Sequence, residues 1–435
     1  MRYFSLKKRN AFVDFRQATL EGQAPDGGLY FPEKIPVWSN GLIRGLRQHS
    51  KASIGIGIMQ PYVGDAIPTK ELFTIVEETL SFDFPLRRIE ERISSLELFH
   101  GPTLAFKDVG ARFLSRCMGY FAQTLHQKIV VLVATSGDTG GAVADAFYNV
   151  PGTAVIVLYP SGKVSPVQEK QLTALGGNIH ALEIEGDFDD CQRLVKMAFQ
   201  DEALKKNILL TSSNSINISR WLPQQIYYAL GLAQWDADSN PIIAVPSGNF
   251  GNLCAGLLAK QSGLPVEHFI AACNANEVFT SYMNTGQYCP TDSIPTLSNA
   301  MDVGNPSNFI RILELFNNNW QAIKETVSSV SITDAATTAT IQKVHASKGY
   351  ILDPHAAVAY KALQDHLENN ETQKGFILGT ADPVKFPDVV EQAIGISPVV
   401  PERLKKLMKK QKNSQLTSWE YPAFRSRAVE ILKNI

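Results

Sequence analysis

The sequence predicts an α/β protein with mostly parallel sheets, and three features support this fold class. Short runs of Val, Ile and Leu recur from Leu96 onward. Amphipathic helical segments separate these runs, which is typical of parallel strands that are joined by helices and buried on both faces. The chain has 435 residues, more than one ordinary hydrophobic core requires, so two or three domains are expected.

Residues 1–95 show no convincing β-α-β alternation and are predicted to form a separate N-terminal domain. Helical patterns occur at residues 42–49 and 70–79, and loops that contain Pro and Gly, such as residues 61–68, separate them. We expect this domain to support the rest of the protein.

Continuous apolar runs mark the strands of the α/β region. They are expected at residues 96–99, 129–134, 154–159, 179–184, 208–211, 242–246, 269–273 and 376–379. A helix follows the first strand, because apolar residues recur with i, i+3 and i+4 spacing from Phe106 to Phe121. The lysine-rich residues 404–412 are interpreted as a solvated helix face.

Composition and charge describe a globular protein without an evident polyanionic partner. Hydrophobic residues make up 44% of the chain, charged residues 19%, and the net charge is -1. This balance gives no reason to expect a nucleic acid or an anionic membrane as partner. The sequence contains no apolar run of 18 or more residues, and its start lacks the apolar core of a signal peptide, so we expect a cytoplasmic protein.

The cysteine and histidine patterns argue against a disulfide framework and a metal site. The five cysteines are an odd number, widely spaced and without a C-x-x-C pair, so we interpret them as reduced and mostly buried. The eight histidines form no H-x-x-x-H or H-E-x-x-H pattern. We therefore expect no bound metal.

Lys107 lies where an apolar stretch, residues 96–99, turns through a Gly-Pro pair into a helical segment. Open α/β folds bind ligands at this carboxyl edge of a sheet. Two further strand-loop-helix turns carry glycine-rich polar loops, residues 134–141 and 245–252. Each feature alone has a plain structural reading, as a solvated lysine or a tight turn. Together they indicate a pyridoxal phosphate enzyme, because a lysine amine bonds to the cofactor aldehyde while glycine-rich loops hold phosphate and substrate.

These motifs resemble those of the threonine synthase family in its bacterial and fungal form. The segments that carry the likeness are residues 100–110, 134–147, 213–220, 245–260, 297–303, 354–360 and 379–386. The likeness extends to about residue 395 and weakens over roughly the last forty residues. The resemblance implies the last step of threonine biosynthesis, in which O-phospho-L-homoserine and water give L-threonine and phosphate by γ-elimination and β-addition of water.

The resemblance also implies two doubly wound, mostly parallel-sheet domains with pyridoxal phosphate in the cleft between them. Residues 96–124 and 226–400 would form a large cofactor domain, and residues 125–225 a smaller mobile domain. The N-terminal domain of residues 1–95 precedes them, and a helical tail of residues 401–435 follows. We expect the protein to be a monomer.

The predicted cofactor site combines one amine, one anion-binding loop and one hydroxyl. Lys107 is expected to bond to the cofactor and, once substrate releases it, to move protons at Cα and Cβ. Thr380 follows strand 376–379 and is expected to present a neutral hydroxyl to the pyridine nitrogen. The cofactor phosphate is assigned to a loop before a helix N-terminus, formed by Ser247, Gly248, Asn249, Phe250, Gly251 and Asn252.

No other phosphate motif competes for that loop. A dinucleotide site requires G-x-G-x-x-G and a later acidic residue, and a Walker loop requires G-K-[ST]; the residues around Ser247 match neither.

The loop after strand 129–134 is predicted to bind the substrate carboxylate through Ser136 and Thr139, with Asp138 reaching the cofactor O3′. Asp138 is a puzzle, because a carboxylate repels the cofactor phenolate unless it is protonated or paired. The alternative is that Asp138 points away and caps the helix that begins near Gly140.

The substrate phosphate requires further cationic and donor-rich groups. Arg220 offers a bidentate fork, with Asn217 nearby in sequence, and Lys163 and Ser165 are second candidates. Each cation also has a plain reading as a surface ion pair.

Two other functions remain open from the sequence. A pyridoxal-phosphate dependent serine/threonine ammonia-lyase would not need the extra phosphate site. A non-catalytic relative could bind the cofactor or a phosphometabolite as a ligand, but the retention of Lys107 with both loops argues against it.

Overall fold

The computed structural model describes residues 1–135, 137–206 and 208–433. The strands in this part of the chain are β1 (Tyr3–Ser5), β2 (Phe12–Val13), β3 (Tyr30–Pro32), β4 (Leu86–Arg88), β5 (Ile93–Glu97), β6 (Lys128–Ala134), β7 (Thr153–Pro160), β8 (Ile179–Glu185), β9 (Ile208–Ser212), β10 (Ile242–Pro246), β11 (His268–Cys273), β12 (Val327–Ser331), β13 (Gly375–Gly379) and β14 (Gln415–Ser418).

The α-helices in the same residues are α1 (Phe15–Glu21), α2 (Asn40–Arg44), α3 (Lys51–Val63), α4 (Thr69–Thr79), α5 (Lys107–Ala122), α6 (Asp138–Phe147), α7 (Pro166–Thr173), α8 (Phe188–Gln200), α9 (Glu202–Lys205), α10 (Ile218–Trp221), α11 (Gln225–Gln234), α12 (Gly251–Gln261), α13 (Val278–Thr285), α14 (Phe309–Leu315), α15 (Trp320–Thr326), α16 (Asp334–Lys348), α17 (Pro354–Glu368), α18 (Pro387–Ile394), α19 (Glu402–Met408) and α20 (Tyr421–Lys433). Short 3-10 turns lie at Gly64–Ala66, Leu222–Gln224, Asn299–Met301 and Pro383–Lys385.

The N-terminal region combines an antiparallel sheet, in the order β2-β1-β3, with helices α1 to α4. Tyr3 donates its hydroxyl to the carbonyl of Tyr62 over 2.7 Å, which ties β1 to α3. Buried side chains such as Phe15 and Ile58 belong to the same apolar core as α5 and α11. The N-terminal region therefore packs directly on the helix that Lys107 begins.

The sheet that we call the large sheet has the order β12-β11-β10-β13-β5-β4 within the described residues. Its strands are parallel except β4, which runs antiparallel to β5. Ile243 and Val245 of β10 pack in one buried cluster, while Ile242 and Ala244 pack in another with α17. Burial on both faces explains the continuous apolar runs of these strands.

The sheet that we call the small sheet has the order β14-β8-β7-β6-β9 among the described strands, and every pairing is parallel. Val131 of β6 faces the main core, whereas Val130 faces a second cluster that includes α8 and α20. The α/β fold class with mostly parallel sheets is confirmed. The carboxyl ends of β6 and β13 lead to the loops that were predicted to bind ligands.

The structure differs from the predicted organisation at both ends of the α/β region. Strand β4 and the start of β5 lie in residues assigned to the N-terminal domain, yet both belong to the large sheet. The predicted helical tail contains β14, which pairs with β8 and returns the chain to the small sheet. The sequence of β14 is short and polar, so it lacks the apolar run that marked the other strands.

No helix among the described residues is long and apolar enough to cross a membrane. In the same residues, no group of three or more His, Cys, Asp or Glu side chains is arranged to hold a metal ion. Four of the cysteines are buried and Cys289 is exposed.

Candidate active site

Lys107 is the first residue of α5, and backbone contacts fix the loop before it. The Phe106 N–H donates to the carbonyl of Thr380 over 2.8 Å, and the Asp382 N–H donates to the carbonyl of Leu104 over 3.1 Å. Leu104 adopts a left-handed φ of 62°, which turns the chain into the helix. These contacts bring the backbones around Lys107 and Thr380 together, at the carboxyl end of β13.

The amine of Lys107 lies among charged groups. Burial lowers its pKa, the carboxylate of Asp138 raises it, and the cations Lys385 and Arg220 lower it further. The net result is a pKa below the ordinary lysine value. A larger fraction of neutral amine is then available to attack an aldehyde.

Asp138 is buried at the start of α6, and its carboxylate is paired. Lys385 Nζ lies 2.7 Å from its Oδ1, and Gln168 Nε2 donates to the same oxygen over 2.9 Å. Burial opposes ionisation, but Lys385 and Lys107 outweigh it and hold the Asp138 pKa well below its usual range. Of the states the sequence left open, the structure therefore contains the paired carboxylate.

The alternative role of Asp138 as a helix cap is not observed. Helix α6 begins after Gly137, which has no side chain to cap it. The hydroxyl of Thr135 instead accepts from the Gly137 and Gly140 N–H groups, both over 2.9 Å. A Cβ on Gly137 would lie 2.3 Å from the Gln168 side chain, so glycine is needed at this turn. Thr135 was not identified from the sequence.

Lys385 is the main site residue that sequence analysis missed. Its side chain is 0% exposed, and Nζ also donates to the Thr103 carbonyl over 2.9 Å and to Gln171 Oε1 over 3.1 Å. Its only sequence signal was its position in the motif of residues 379–386. Only the folded structure shows that Lys385 forms an ion pair with Asp138.

The loop between β10 and α12 has the backbone geometry of an anion site. Its Ser247 N–H donates to the carbonyl of Ala272 over 2.8 Å, which anchors the loop to β11. A Cβ on Gly248 would lie 2.6 Å from the Cα of Met301, so only glycine fits there. Phe250 adopts a φ of 59° immediately before α12, and no side chain caps that helix.

The side chains of this loop are mostly engaged within the protein. The Ser247 hydroxyl donates to the Val245 carbonyl over 2.8 Å, and Asn249 Nδ2 donates to the Ser215 hydroxyl over 2.8 Å. Tyr228 donates to Asn252 Oδ1 over 2.9 Å, whereas Asn252 Nδ2 is buried without a partner among the described residues. Backbone N–H groups and this amide are therefore the donors that can receive a ligand.

The aromatic and glycine positions of the same loop complete its packing. The Phe250 ring lies 4.6 Å from that of Phe279, centroid to centroid. A Cβ on Gly251 would lie 3.3 Å from Asn308 Nδ2, a tight but not forbidden contact. Phe279 and Asn308 thus pack against the loop where α12 begins.

Helices α5, α6 and α12 all begin in the predicted ligand loops. Among the described residues, α5 and α12 have no side-chain cap, and the Thr135 hydroxyl accepts from one N–H group of α6. By contrast, Ser165 caps α7, Asp187 caps α8 and Asn217 caps α10. An uncapped N-terminus presents free N–H groups and a positive dipole, which suit phosphate and carboxylate groups. These termini and the Lys107 amine fit pyridoxal phosphate and an anionic substrate.

Arg220 is buried, with 4% of its surface exposed, and makes no ion pair within the described part of the chain. One guanidinium nitrogen donates to the carbonyl of Ser213, and Nε has no hydrogen-bond partner among the residues that the structure describes. Burial lowers its pKa to about 10, still far above neutrality. A Cβ on Gly110 would lie 3.1 Å from Arg220 Nε, so the guanidinium packs against the helix that Lys107 begins. Burial of an unpaired cation costs free energy, and a bound anion would offset that cost.

Two of the other predicted substrate residues, Asn217 and Ser165, make hydrogen bonds within the protein. Asn217 is used structurally: Nδ2 donates to the Thr19 carbonyl and Oδ1 accepts from the Ser219 N–H, both over 2.9 Å. Both ends of its amide are thus engaged within the protein, and the predicted contact of Asn217 with substrate stays a prediction. The hydroxyl of Ser165 caps α7 by accepting from the Gln168 N–H over 3.3 Å.

Lys163 is exposed in the loop between β7 and α7, and within the described part of the chain no hydrogen bond or ion pair links it to the other predicted site residues. Thr139 is half-buried in the first turn of α6, next to Asp138. Thr380 is buried and lies directly after β13. Ser136 lies outside the described residues, so its predicted contact with the substrate carboxylate stays a prediction.

Three family models match successive parts of the chain. The model described as "Pyridoxal-phosphate dependent enzyme" matches residues 87–379. The model "Threonine synthase N terminus" matches residues 2–80, and "Threonine synthase, C-terminal" matches residues 356–423. The first match includes both α/β sheets apart from β14.

Individual relatives agree with the family models. The threonine synthase of Serratia marcescens is 44% identical over 406 residues, which cover 93% of each chain. The crystal structure of threonine synthase from Escherichia coli superposes with a TM-score of 0.92 at 42% identity, covering 99% of this chain and 100% of that chain. A pyridoxal-phosphate-bound threonine synthase from Brucella melitensis gives a TM-score of 0.94 at 35% identity, covering 99% of each chain.

Proposed function

The chain belongs to the threonine synthase family of pyridoxal-phosphate dependent enzymes, and from that premise we propose that it converts O-phospho-L-homoserine and water to L-threonine and phosphate. The observation that carries the choice of substrate is Arg220, a buried guanidinium without a carboxylate partner in the described residues. A serine/threonine ammonia-lyase handles no substrate phosphate and has no use for such a cation. An enzyme that binds a phosphate ester does use a buried cation, because the cation pairs with the phosphate charge.

Pyridoxal phosphate supplies an electron-accepting ring that takes up the electrons left when a proton leaves the substrate Cα. We assign Lys107 as the residue that carries it, and the backbone of residues 247–252 as the site of its phosphate. The uncapped start of α12 supports the phosphate assignment. Thr380 is assigned to the ring nitrogen, since its backbone pairs with the Lys107 loop.

Lys107 would act as a base once substrate has displaced it. Its lowered pKa supports this role, because it increases the fraction of neutral amine that can accept a proton from Cα and then serve at Cβ. The same amine can return a proton to the substrate after phosphate has left Cγ. Water then adds at Cβ, which gives the hydroxyl group of threonine.

Arg220 would bind the substrate phosphate and hold it while the bond to Cγ breaks. Its planar guanidinium can make two parallel hydrogen bonds to phosphate oxygens. The first turn of α6, with Thr139, is assigned to the substrate carboxylate, because Thr135 accepts from the Gly140 N–H and leaves the Asp138 and Thr139 N–H groups without a side-chain partner among the described residues. Lys163 is kept as a second candidate for phosphate only if the small sheet moves closer on closure.

We propose that the protein acts as a monomer, has no nucleic acid partner and works in the cytoplasm. The net charge of -1 and the five cysteines without disulfide spacing support the last two. Gel filtration with light scattering tests the first.

The substrate assignment is tested by product analysis with the purified protein. O-phospho-L-homoserine should give threonine and phosphate in equal amounts, while L-serine and L-threonine should give little ammonia. Lys107→Ala serves as the control for background hydrolysis and should release no phosphate. Deamination of serine or threonine that is as fast as phosphate release would overturn the assignment in favour of an ammonia-lyase.

A further inference from the structure

Lys385 and Asp138 form a buried ion pair that joins the two α/β units. Lys385 follows β13 of the large sheet, and Asp138 begins α6, which follows β6 of the small sheet. Their charged atoms are 2.7 Å apart, and the two side chains are 0% and 6% exposed. The Asp138 carboxylate of this pair also raises the pKa of the Lys107 amine. The contact between the two units is therefore part of the active site.

The ammonium group of Lys385 has no donor to spare. Lysine carries three N–H donors. Nζ contacts Asp138 Oδ1, the Thr103 carbonyl and Gln171 Oε1, and these three acceptors account for its donors. Lys385 therefore has no free N–H donor for a substrate anion. Arg220, in contrast, has a buried Nε without a hydrogen-bond partner among the described residues.

The surroundings of the pair strengthen the same junction. Gln171 of α7 also donates from Nε2 to the Thr103 carbonyl over 3.0 Å, and Gln168 of α7 donates to Asp138 over 2.9 Å. The loop at Thr103 lies on the large-sheet side and α7 on the small-sheet side. Lys385 is thus the central group of a hydrogen-bonded contact between the two α/β units.

We propose that Lys385 is a positioning residue that fixes the Asp138 carboxylate through the 2.7 Å ion pair and balances its charge toward the Lys107 amine from within the protein. The amine then faces a neutral pair in place of a lone carboxylate. This explains how a carboxylate can lie in a site that binds an anionic cofactor. The inference rests on the proposed function only in taking Lys107 as the amine that carries the cofactor.

The charged groups that surround Lys107 determine the signs of the expected effects. Lys107 faces Asp138 of α6, Lys385 after β13 and Arg220 of α10. Lys385 and Arg220 also face the buried Asp108, whose pKa burial raises to about 6. Loss of Lys385 alone leaves the negative field of Asp138 unbalanced and should raise the Lys107 pKa. Loss of the Asp138 charge alone should lower it, because the positive field of Lys385 remains.

The first test measures the Lys107 amine directly in the full-length protein without cofactor. The protein is labelled with limiting acetic anhydride at a series of pH values, and mass spectrometry quantifies the peptide that contains Lys107. Compared with the unmodified protein, Lys385→Met should move the labelling midpoint up by about one pH unit and Asp138→Asn should move it down by about the same amount. The double variant should lie between the two single variants.

A matched control removes a lysine from a different ion pair. Lys361 contacts Asp365 on the surface of α17, far along the chain from the site. Lys361→Met should leave the Lys107 midpoint unchanged. General loosening of the structure would shift both single site variants in the same direction, so opposite shifts distinguish a charge effect from misfolding.

The second test follows the visible absorbance of the cofactor-loaded protein against pH, which should shift with the same signs. If Lys385→Met does not fold, Asp138→Asn and the double variant decide the matter, because neither leaves a buried carboxylate unpaired. The proposal is overturned if Lys107 titrates alike in all variants, or if the double variant shifts further than Asp138→Asn. Shifts in Lys107 labelling without shifts in absorbance would uphold Lys385 and contradict the proposed function, since the cofactor would then be bound elsewhere.

Discussion

At the scale of single residues, the site gathers buried charge around one amine. Lys107, Asp138 and Lys385 influence one another electrostatically, and the ion pair offsets part of the cost of burial. Arg220 is different, because its guanidinium is buried beside the same helix and, among the described residues, contacts the carbonyl and hydroxyl of Ser213 but no carboxylate. An anion that arrives with the substrate would complete its set of contacts.

Arg220→Ala should weaken the use of O-phospho-L-homoserine by roughly 2 to 4 kcal/mol in kcat/KM, because charge-assisted contacts to the phosphate are lost. Cofactor content should not change. Steady-state kinetics and the absorbance of bound cofactor measure the two quantities. Loss of cofactor would place Arg220 at the cofactor phosphate, and unchanged kinetics would remove it from the site.

Asn217→Ala is the matched comparison, because Asn217 lies three residues before Arg220 but is used structurally. It should lower the free energy of unfolding by about 1 to 3 kcal/mol through the lost helix cap and the unpaired Thr19 carbonyl. The kcat/KM of the folded fraction should stay near that of the unmodified protein. A large loss of kcat/KM at full stability would restore Asn217 to the substrate site.

The positions of residues in local motifs could be predicted from the sequence, whereas contacts between residues far apart in the chain could not. Lys107 and the loop at Ser247 follow apolar strands, so their places at sheet edges could be predicted. Lys385 meets Asp138, which lies far away in the chain, and the Asn217 amide meets Thr19. No spacing in the sequence reports such contacts.

At the scale of elements, the buried parallel strands were predictable and the short or polar ones were not. Strand β10 is a continuous apolar run, whereas β4 and β14 contain charged or polar residues and lie at sheet edges. Helix α3 was also missed, because it contains Pro61 and glycines that lower helix propensity. Tertiary packing decides these elements.

The loop before α12 depends on one close backbone approach. In Gly248→Ala, the new Cβ would lie 2.6 Å from Met301 Cα, and backbone must move to relieve the clash. Overpacking of this kind costs about 1 to 3 kcal/mol, so cofactor affinity should fall by about tenfold or more. Titration of cofactor-free protein with pyridoxal phosphate measures the change.

Gly41→Ala is the control, because a Cβ there meets only Ser39 Oγ at 3.9 Å, in helix α2. This variant should bind the cofactor normally. Equal affinities in Gly248→Ala and the unmodified protein would mean that the loop does not hold the phosphate.

At the scale of the whole molecule, the chain returns to the small sheet after completing the large one. Strand β14 extends the edge of the small sheet beyond β8, and α20 covers the sheet through Phe424, Ala428 and Ile431. Lys412 reaches Glu169 over 2.7 Å and Glu183 over 2.6 Å, which ties the returning segment to the same unit. The C-terminal residues therefore help to build the domain that carries Asp138.

Phe424→Ala tests this structural role. The side chain is 0% exposed in the cluster below the small sheet, so its truncation should lower the free energy of unfolding by about 3 to 5 kcal/mol. Leu416→Ala, at a side chain that is 56% exposed on β14, should cost at most about 0.5 kcal/mol. Urea unfolding followed by circular dichroism compares the two. Similar small losses would show that the C-terminal helix is dispensable for the small sheet.

The assignment of Lys107 as the cofactor lysine supports every other role proposed for the site. Borohydride reduction of the cofactor-loaded protein, followed by mass spectrometry of its peptides, tests it directly. The structure leads us to expect the phosphopyridoxyl group on Lys107 alone, and Lys107→Ala should show neither the label nor turnover. A label on another lysine, such as Lys385, would contradict the account.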